Sequence, residues 1–273
     1  MNLKSSTVIY FLSVILAVCY WLDYPHELIG LAEIVKTDSQ EAIEFDCLKQ
    51  SDAIYLGENH DNPEHHARQL QIIKQLQQDD NDANLAIGME MFQRPFQPIL
   101  NRYIAREIGE ADLKEQTEYE ARWGFDWEFY APILRYARSR QIPIIALNTP
   151  EEITRKVATT GIDSLQESDF RYIPPSNEIE LDNEEYRQAL REIYLQHVEN
   201  GRGNSTEFDN FFAAQVLWDE TMADAIAFYY QNNPQSQIVV LVGKAHVIED
   251  YAIPDRVARR IENKSFEATV CLL

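Results

Sequence analysis

Two motifs of glycine and histidine carry the residue types best suited to chemistry in this chain. They are Gly57-Glu58-Asn59-His60 near the start and Gly243-Lys244-Ala245-His246 near the end. Glu58 and His60 are two residues apart, so they face the same way if the chain is extended there. A carboxylate with an imidazole suits a divalent metal such as zinc, manganese or iron, and a metal with an open position activates water for hydrolysis.

Each motif directly follows a short apolar run with the character of a buried strand. Residues 53–56 precede the first motif and residues 238–242 precede the second, while Glu90 closes a third such run, residues 85–89. Ligands of open α/β sheets bind at the carboxyl ends of the strands. We therefore predict a single constellation that acts as metal site and catalytic site, made of Glu58, His60, Glu90 and His246. In the alternative interpretation the histidines are hydrogen-bonded loop residues and Glu90 pairs with Arg94.

Helices and strands alternate in the sequence pattern beyond residue 50. Asn62 and Pro63 suit the start of a helix that continues over residues 65–77. A helical, aromatic stretch over residues 94–140 precedes a strand at 142–147, and helices are predicted at 184–198 and 208–230. This alternation predicts an α/β fold: a central, mostly parallel sheet flanked by helices, with a helical insertion.

Composition limits the partners of the domain. The chain has 273 residues, 45% of them apolar, and a formal net charge of −21. This size and apolar content suit one large domain. Phosphate binding needs clustered Lys and Arg, so nucleic acid and anionic lipid surfaces are excluded as main partners. A homodimer is one of the arrangements that the sequence leaves open.

The first residues differ from the rest. Residues 7–22 carry no charge and span roughly 24 Å as a helix, the length of a signal segment or a short anchor. Leu16-Ala17-Val18-Cys19 approximates the box before a lipid-modified cysteine, with Val18 where a small residue is expected. We divide the chain into an N-terminal anchor or signal segment, residues 1–23, and an α/β domain, residues 24–273. The expected location is the cell envelope, with the domain anchored to a membrane and lying outside the cytoplasm.

A haem group is the second ligand that the residues suggest. His65 and His66 lie near a helix start, where the dipole favours an uncharged imidazole that can ligate iron, although only one of them can face a pocket. Tyrosine is also a haem ligand, and the candidates are Tyr130 and Tyr251. Propionates need cations such as Arg68, Arg94 and Lys244. The alternatives are surface histidines and an aromatic core.

The motifs together resemble those of the ChaN-type haem-binding lipoprotein family. The resemblance covers most of residues 50–258, in the segments 55–66, 88–92, 146–148, 214–219 with 222–223, and 243–247. It implies an α/β fold related to erythromycin-esterase-like and Tiki-like proteins, an envelope-tethered location, and haem binding for iron uptake. In the related hydrolases, the positions that match Glu58, His60, Glu90 and His246 form the active site.

Two functions follow from these observations. The first is a membrane-tethered haem-binding protein, and the alternative is a metal-dependent hydrolase that uses the GExH and GxxH motifs. The chain departs from the family at Ala245, where glycine is frequent, and at residues 252–254, where Gly-Ile-Pro is frequent. The change at Ala245 narrows the space beside His246 and bears on the size of the ligand.

Overall fold

A sheet of six parallel strands forms the centre of the fold in a computed structural model, which describes residues 33–36, 45–79, 84–199, 207–248, 251–262 and 265–273. The strands are β1 (Glu33–Lys36), β2 (Ala53–Glu58), β3 (Leu85–Gln93), β4 (Ile144–Asn148), β5 (Gln237–Gly243) and β6 (Ala268–Leu272). Their spatial order is β1-β6-β2-β5-β3-β4, and each neighbouring pair runs parallel. The predicted mostly parallel sheet is confirmed, and β1 and β6 are additions that the sequence analysis did not foresee.

Ten α-helices connect and cover these strands within the described ranges. They are α1 (Phe45–Gln50), α2 (Pro63–Asp79), α3 (Gln97–Ile104), α4 (Glu110–Gln116), α5 (Tyr119–Arg122), α6 (Trp127–Arg140), α7 (Glu151–Thr160), α8 (Glu184–Glu199), α9 (Phe208–Asn232) and α10 (Ile253–Arg260). The three long helices predicted from the sequence are present as α2, α8 and α9. The strand predicted at 142–147 begins later, at Ile144, because Pro143 has no N–H for the ladder, although its carbonyl accepts from the Ile87 N–H at 2.9 Å.

Two apolar cores lie on the two faces of the sheet. Alternate residues of β2 feed them, with Ile54 and Leu56 on one face and Ala53 and Tyr55 on the other. The first core also contains side chains of α2, α3 and α6, and the second contains side chains of α9 and α10. Residues at the end of β2 and just beyond it therefore have helices on both sides.

The start of α2 brings two histidines to the carboxyl edge of the sheet. The Asn62 side chain accepts a hydrogen bond from the Glu64 N–H at 3.0 Å, which confirms the predicted N-cap, and Pro63 is the first helical residue. His65 and His66 follow in the first turn. The short β2–α2 loop thus holds them close to the residues that end β2.

The predicted anchor, residues 1–23 with Cys19, lies outside the described residues. Among the residues that are described, no helix is long and apolar enough to cross a membrane. Anchoring, lipid attachment and an envelope location therefore stay predictions.

Gly57 gives a test of the packing at the end of β2. A Cβ at this position would lie 3.0 Å from side-chain atoms of Leu272 and of Val247, and 3.2 Å from the Cα of Lys244. Because backbone cannot move aside cheaply, we expect Gly57→Ala to lower the free energy of unfolding by about 1–3 kcal/mol, measured by urea denaturation.

Gly109→Ala is the control, because its Cβ would meet the movable carboxylate of Asp112 at 3.3 Å. We expect a change within about 0.5 kcal/mol for this variant. Equal losses in the two variants would contradict the close approach at Gly57.

Candidate functional site

Glu58 ends β2 as an almost fully buried carboxylate surrounded by donors. It is 1% exposed and accepts hydrogen bonds from the Tyr130 hydroxyl at 2.6 Å, from Nε2 of Gln69 at 2.5 Å and from Nδ1 of His60 at 2.9 Å. Burial by itself would raise the pKa of Glu58, but the hydrogen bonds from His60 and His66 and the charge of His66 outweigh burial and lower this pKa well below its usual value. The group is therefore an ionised carboxylate inside the protein.

His66 is the cationic partner of this carboxylate. Its Nδ1 lies 3.3 Å from Glu58 Oε2 and 3.3 Å from Gln69 Oε1, and its Nε2 lies 3.1 Å from the carbonyl oxygen of His60. Burial works to lower the pKa of His66, yet Glu58 outweighs it and the pKa is raised. Since both nitrogens face acceptors, both hold protons and the ring is an imidazolium.

His60 donates to the same carboxylate. Because an ionised carboxylate only accepts, the donor is Nδ1 of His60, and in the neutral form of the ring the lone pair is on Nε2. The ring is 3% exposed and packs against Trp123, with ring centroids 4.8 Å apart and planes at 79°, and against Phe125 at 5.1 Å. Glu58 thus orients His60 as a base.

A second pair of carboxylate and histidine comes from β3 and the residues after β5, and Glu90 lies inside β3, which continues to Gln93 instead of ending at the predicted position. The Gly243 N–H donates to Oε2 of Glu90 at 2.7 Å, and Oε1 of Glu90 lies 3.6 Å from Nε2 of His246. His246 donates from Nδ1 to Oδ1 of Asp219, on α9, at 2.5 Å. Oδ2 of Asp219 accepts from the Tyr186 hydroxyl at 2.6 Å.

The strand register places both pairs at one edge of the sheet. Glu58 is the register partner of Gly243, whose N–H binds Glu90. The contacts of the two pairs differ, because Glu58 is held by side chains of α2 and α6 and His246 by α9. The four predicted residues are thus present as two pairs, each with its own protein partners.

The predicted divalent-metal site is not supported. Within the described ranges, no group of three or more His, Cys, Asp or Glu side chains is arranged to hold a metal ion. Both oxygens of Glu58 and Oε2 of Glu90 already accept hydrogen bonds from the protein, while Oε1 of Glu90 faces Nε2 of His246 at 3.6 Å. The carboxylates that should have ligated a metal instead orient histidines and tie strand ends together.

Three of the four candidate haem ligands are engaged in ways that oppose iron binding. His66 is the imidazolium described above. His65, which is half-buried, accepts the Asn59 N–H on Nδ1 at 3.0 Å, so its proton is on Nε2; burial lowers its pKa and keeps the ring neutral. Tyr130 is fully buried and donates to Glu58, and burial together with the Glu58 charge raises its pKa well above the usual value. Such a phenol resists conversion to the phenolate that binds iron.

Tyr251 is placed differently from these three. It is half-buried and stacks on Tyr186, with ring centroids 4.7 Å apart and planes at 21°. Because Tyr186 also binds Asp219, this contact brings Tyr251 to the side of the His246 pair.

The three cations that were predicted to contact the haem propionates have different surroundings. Arg94 forms an ion pair with Asp224 at 2.5 Å, and Arg68 donates to the Gln71 side chain at 3.0 Å. The predicted pairing of Arg94 with Glu90 is therefore replaced by one with α9. Lys244 is half-buried directly after β5, and its charge contributes to the lowered pKa of His65. Lys244 thus lies near the first turn of α2, at the carboxyl edge of the sheet.

Sequence reasoning missed three residues that complete these pairs: Gln69, Asp219 and Tyr186. A signal existed for Asp219, because Asp219 and Glu220 are adjacent acids in the middle of a largely apolar helix and both are buried. A buried acid needs a partner, which marks it as a structural or functional residue. Gln69 and Tyr186 carry no comparable signal.

The protein is thus an α/β protein that presents two pairs of carboxylate and histidine at the carboxyl edge of a parallel sheet. A family model described as haem-binding uptake, Tiki superfamily, ChaN matches residues 45–257. The chain belongs to this family, and the match confirms the resemblance found in the sequence.

Two solved structures are similar to the chain. One is described as cofacial heme binding to ChaN of Campylobacter jejuni, with a TM-score of 0.63, 19% sequence identity and coverage of 84% of this chain and 83% of that one. The other is a mutant erythromycin esterase, EreC, in its open conformation, with a TM-score of 0.46, 13% identity and coverage of 84% and 71%. The first likeness supports the fold described above.

A curated relative is also similar in sequence. It is the chloroplastic protein RETICULATA-RELATED 5 of Arabidopsis thaliana, 26% identical over 256 residues. The alignment covers 89% of this chain and 34% of the relative, so the chain spans about a third of that protein's length.

The two adjacent histidines of α2 generate a pH prediction with opposite signs. The raised pKa of His66 stabilises the fold at low pH, and this contribution is lost as the pH rises through that raised value. The lowered pKa of His65 stabilises the fold above the unfolded value of about 6.5, and its contribution is lost as the pH falls. We expect the free energy of unfolding of His66→Gln to fall less than that of the wild type as the pH rises. We expect the free energy of unfolding of His65→Gln to fall less than that of the wild type as the pH falls.

Urea denaturation of the wild type and both variants from about pH 5 to pH 9 measures these slopes. Each variant is the matched control for the other, since the residues are neighbours on one helix. Parallel pH profiles for all three proteins would refute the charge assignment of both rings.

Proposed function

We propose that this chain is a membrane-tethered protein that binds haem at the carboxyl edge of its sheet and serves in haem or iron uptake. The observation that carries the proposal is membership of a family described as haem-binding uptake, with a match over residues 45–257. The similarity of the fold to that of Campylobacter jejuni ChaN supports the proposal that the chain has the fold of a haem-binding protein. The carboxyl ends of parallel strands are also the usual ligand edge of such sheets.

Tyr251 is our candidate for the iron ligand. The proton arrangements of His65 and His66 and the burial of Tyr130 oppose ligation by those residues. A half-buried phenol beside the site can release its proton to water, as its oxygen binds iron, at a lower cost than a fully buried one, and tyrosinate is a known axial ligand of haem. The aromatic ring of Tyr186 next to Tyr251 adds a flat apolar surface of the kind that a porphyrin contacts.

Lys244 is our candidate for the propionate contact. The net charge of −21 repels a dianionic ligand at long range, so a cation at the site has to offset that field. Arg94 already pairs with Asp224, whereas Lys244 stands half-buried at the carboxyl edge. A cation this close acts within a Debye length of about 10 Å and outweighs more distant, screened charges.

Haem titration of the domain from residue 24 onward tests the proposal. We expect a shift of the Soret band on binding at micromolar haem, and loss of the tyrosinate charge-transfer band in Tyr251→Phe. We expect Lys244→Gln to weaken binding by about fivefold to tenfold while the spectrum stays unchanged, because one ion pair contributes about 1 kcal/mol.

Tyr229→Phe is the matched control for the ligand. Tyr229 is also half-buried, but it lies near Ser236, just before β5 begins, at the opposite edge of the sheet. This variant should bind haem as the wild type does. A Tyr251→Phe protein with an unaltered spectrum would reject this ligand, and a wild type that binds no haem would reject the proposed function.

Membrane tethering is a separate part of the proposal, supported by the uncharged residues 7–22. Burial of about 16 mostly apolar residues at ~0.8 kcal/mol per methylene far exceeds peripheral binding. We therefore expect the full-length chain to sediment with membranes, and a chain that begins at Asp23 to stay in the supernatant. Equal partitioning of the two proteins into the supernatant would refute the tether.

A hydrolase remains the second candidate, favoured by the tautomer of His60. Glu58 holds the Nδ1 proton of His60, so Nε2 presents a basic lone pair, as in the carboxylate-oriented base of hydrolytic triads. In this version His60 activates water directly and no metal is required. A wild-type protein that binds no haem would favour this candidate.

A further inference from the structure

Four side chains from distant parts of the chain form one row through the second pair of the site. The Tyr186 hydroxyl donates to Asp219, Asp219 accepts from His246, and Nε2 of His246 faces Glu90 at 3.6 Å. Tyr186, Asp219, His246 and Glu90 are each less than a tenth exposed. The row begins on α8, which belongs to the segment between β4 and β5, and ends on β3.

Each oxygen of Asp219 has one specific donor. Oδ1 accepts from His246 and Oδ2 accepts from Tyr186. A carboxylate with a single donor can rotate and offer either oxygen, whereas two donors on two oxygens define the plane of the group. The tautomer and ring orientation of a histidine follow from the partner of its Nδ1, so the donor on Oδ2 also constrains His246.

The ring of Tyr186 is itself contacted by two residues of the segment that contains α10. Tyr251 stacks on it at 4.7 Å, and the guanidinium of Arg256 lies 5.6 Å from its centroid. Arg256 is buried and forms an ion pair with Glu220, the residue that follows Asp219 on α9. Burial and the charge of Asp219 raise the pKa of Tyr186 well above its usual value, so the hydroxyl keeps the proton that it donates.

We propose that Tyr186 is a positioning residue, which orients His246 through Asp219 with its hydroxyl and orients Tyr251 with its ring. The part that concerns Tyr251 as an iron ligand rests on the proposed function, whereas the part that concerns His246 does not. Helix α8 is thereby a component of the site, although none of its groups would contact the haem iron.

Two variants separate the two roles. Tyr186→Phe removes the hydrogen bond to Asp219 and keeps the stacked ring, and Tyr186→Leu removes both. The first readout is the far-downfield proton signal of a histidine Nδ1–H bound to a carboxylate, recorded on haem-free protein and assigned by its loss in His246→Gln. We expect this signal to exchange with water about tenfold faster in Tyr186→Phe, the factor that corresponds to one hydrogen bond to a charged group.

The second readout is haem affinity. We expect Tyr186→Phe to stay within about twofold of the wild type, and Tyr186→Leu to lose about tenfold, because an aromatic pair contributes on the order of 1 kcal/mol. Tyr194→Phe, on the same helix, is the control and should leave both readouts unchanged. If Tyr186→Leu does not fold, Tyr186→Phe still decides the role of the hydroxyl.

These measurements distinguish a failure of the positioning role of Tyr186 from a failure of haem binding. Exchange in Tyr186→Phe at the wild-type rate overturns the positioning of His246, whether or not haem binds. Equal haem affinity in Tyr186→Phe and Tyr186→Leu overturns the role of the ring. A wild-type protein that binds no haem overturns the proposed function, and the exchange measurement then stands by itself.

Discussion

The buried charge of Glu58 is the constraint on which the first half of the site depends. An ionised carboxylate removed from water costs several kcal/mol unless the protein replaces its hydration. Here His66, Gln69 and Tyr130 replace it, and they come from α2 and α6, which are far apart in the chain. The requirement to satisfy one carboxylate therefore fixes how both helices pack on the end of β2.

The same requirement decides which groups remain available to a ligand. His66 is committed as the counter-ion and has no lone pair to offer a metal, and Tyr130 is a buried donor to Glu58 that keeps its proton. His60 differs, because its Nδ1–H donates a hydrogen bond to Glu58 and the lone pair of its neutral form is on Nε2. The second pair follows similar rules, with Asp219 in the place of Glu58 and His246 in the place of His60.

Much of the fold follows from local sequence pattern. Continuous apolar runs predicted β2, β3 and β5, and the helical signals predicted α2, α8 and α9, because buried parallel strands and long helices have strong periodic signatures. β1 and β6 were missed. They are short and lie together at one end of the sheet, where pairing with a neighbour rather than sequence pattern defines a strand.

For the site, the sequence predicted the main residues and not the partners that orient them. The sequence indicated that Glu58, His60, Glu90 and His246 follow strand ends. In the structure Glu58 is the last residue of β2, and His60 and His246 follow β2 and β5, whereas β3 continues beyond Glu90 to Gln93. The sequence did not indicate their partners, since Gln69 and Tyr186 reach the carboxylates from helices whose rotation and packing are tertiary properties. A metal site was predicted because all four residues are of types that bind metals. The hydrogen bonds that these carboxylates and histidines make instead cannot be seen in a sequence pattern.

The protonation of the two histidines next to Glu58 decides whether the buried charge is balanced as described. Nitrogen-15 chemical shifts of the labelled imidazole rings, measured on the haem-free domain near neutral pH, report each ring nitrogen separately. We expect two protonated nitrogens in His66, and in His60 a protonated Nδ1 with an unprotonated Nε2. A neutral His66, or a His60 that carries its proton on Nε2, would contradict the charge balance on which the site is built.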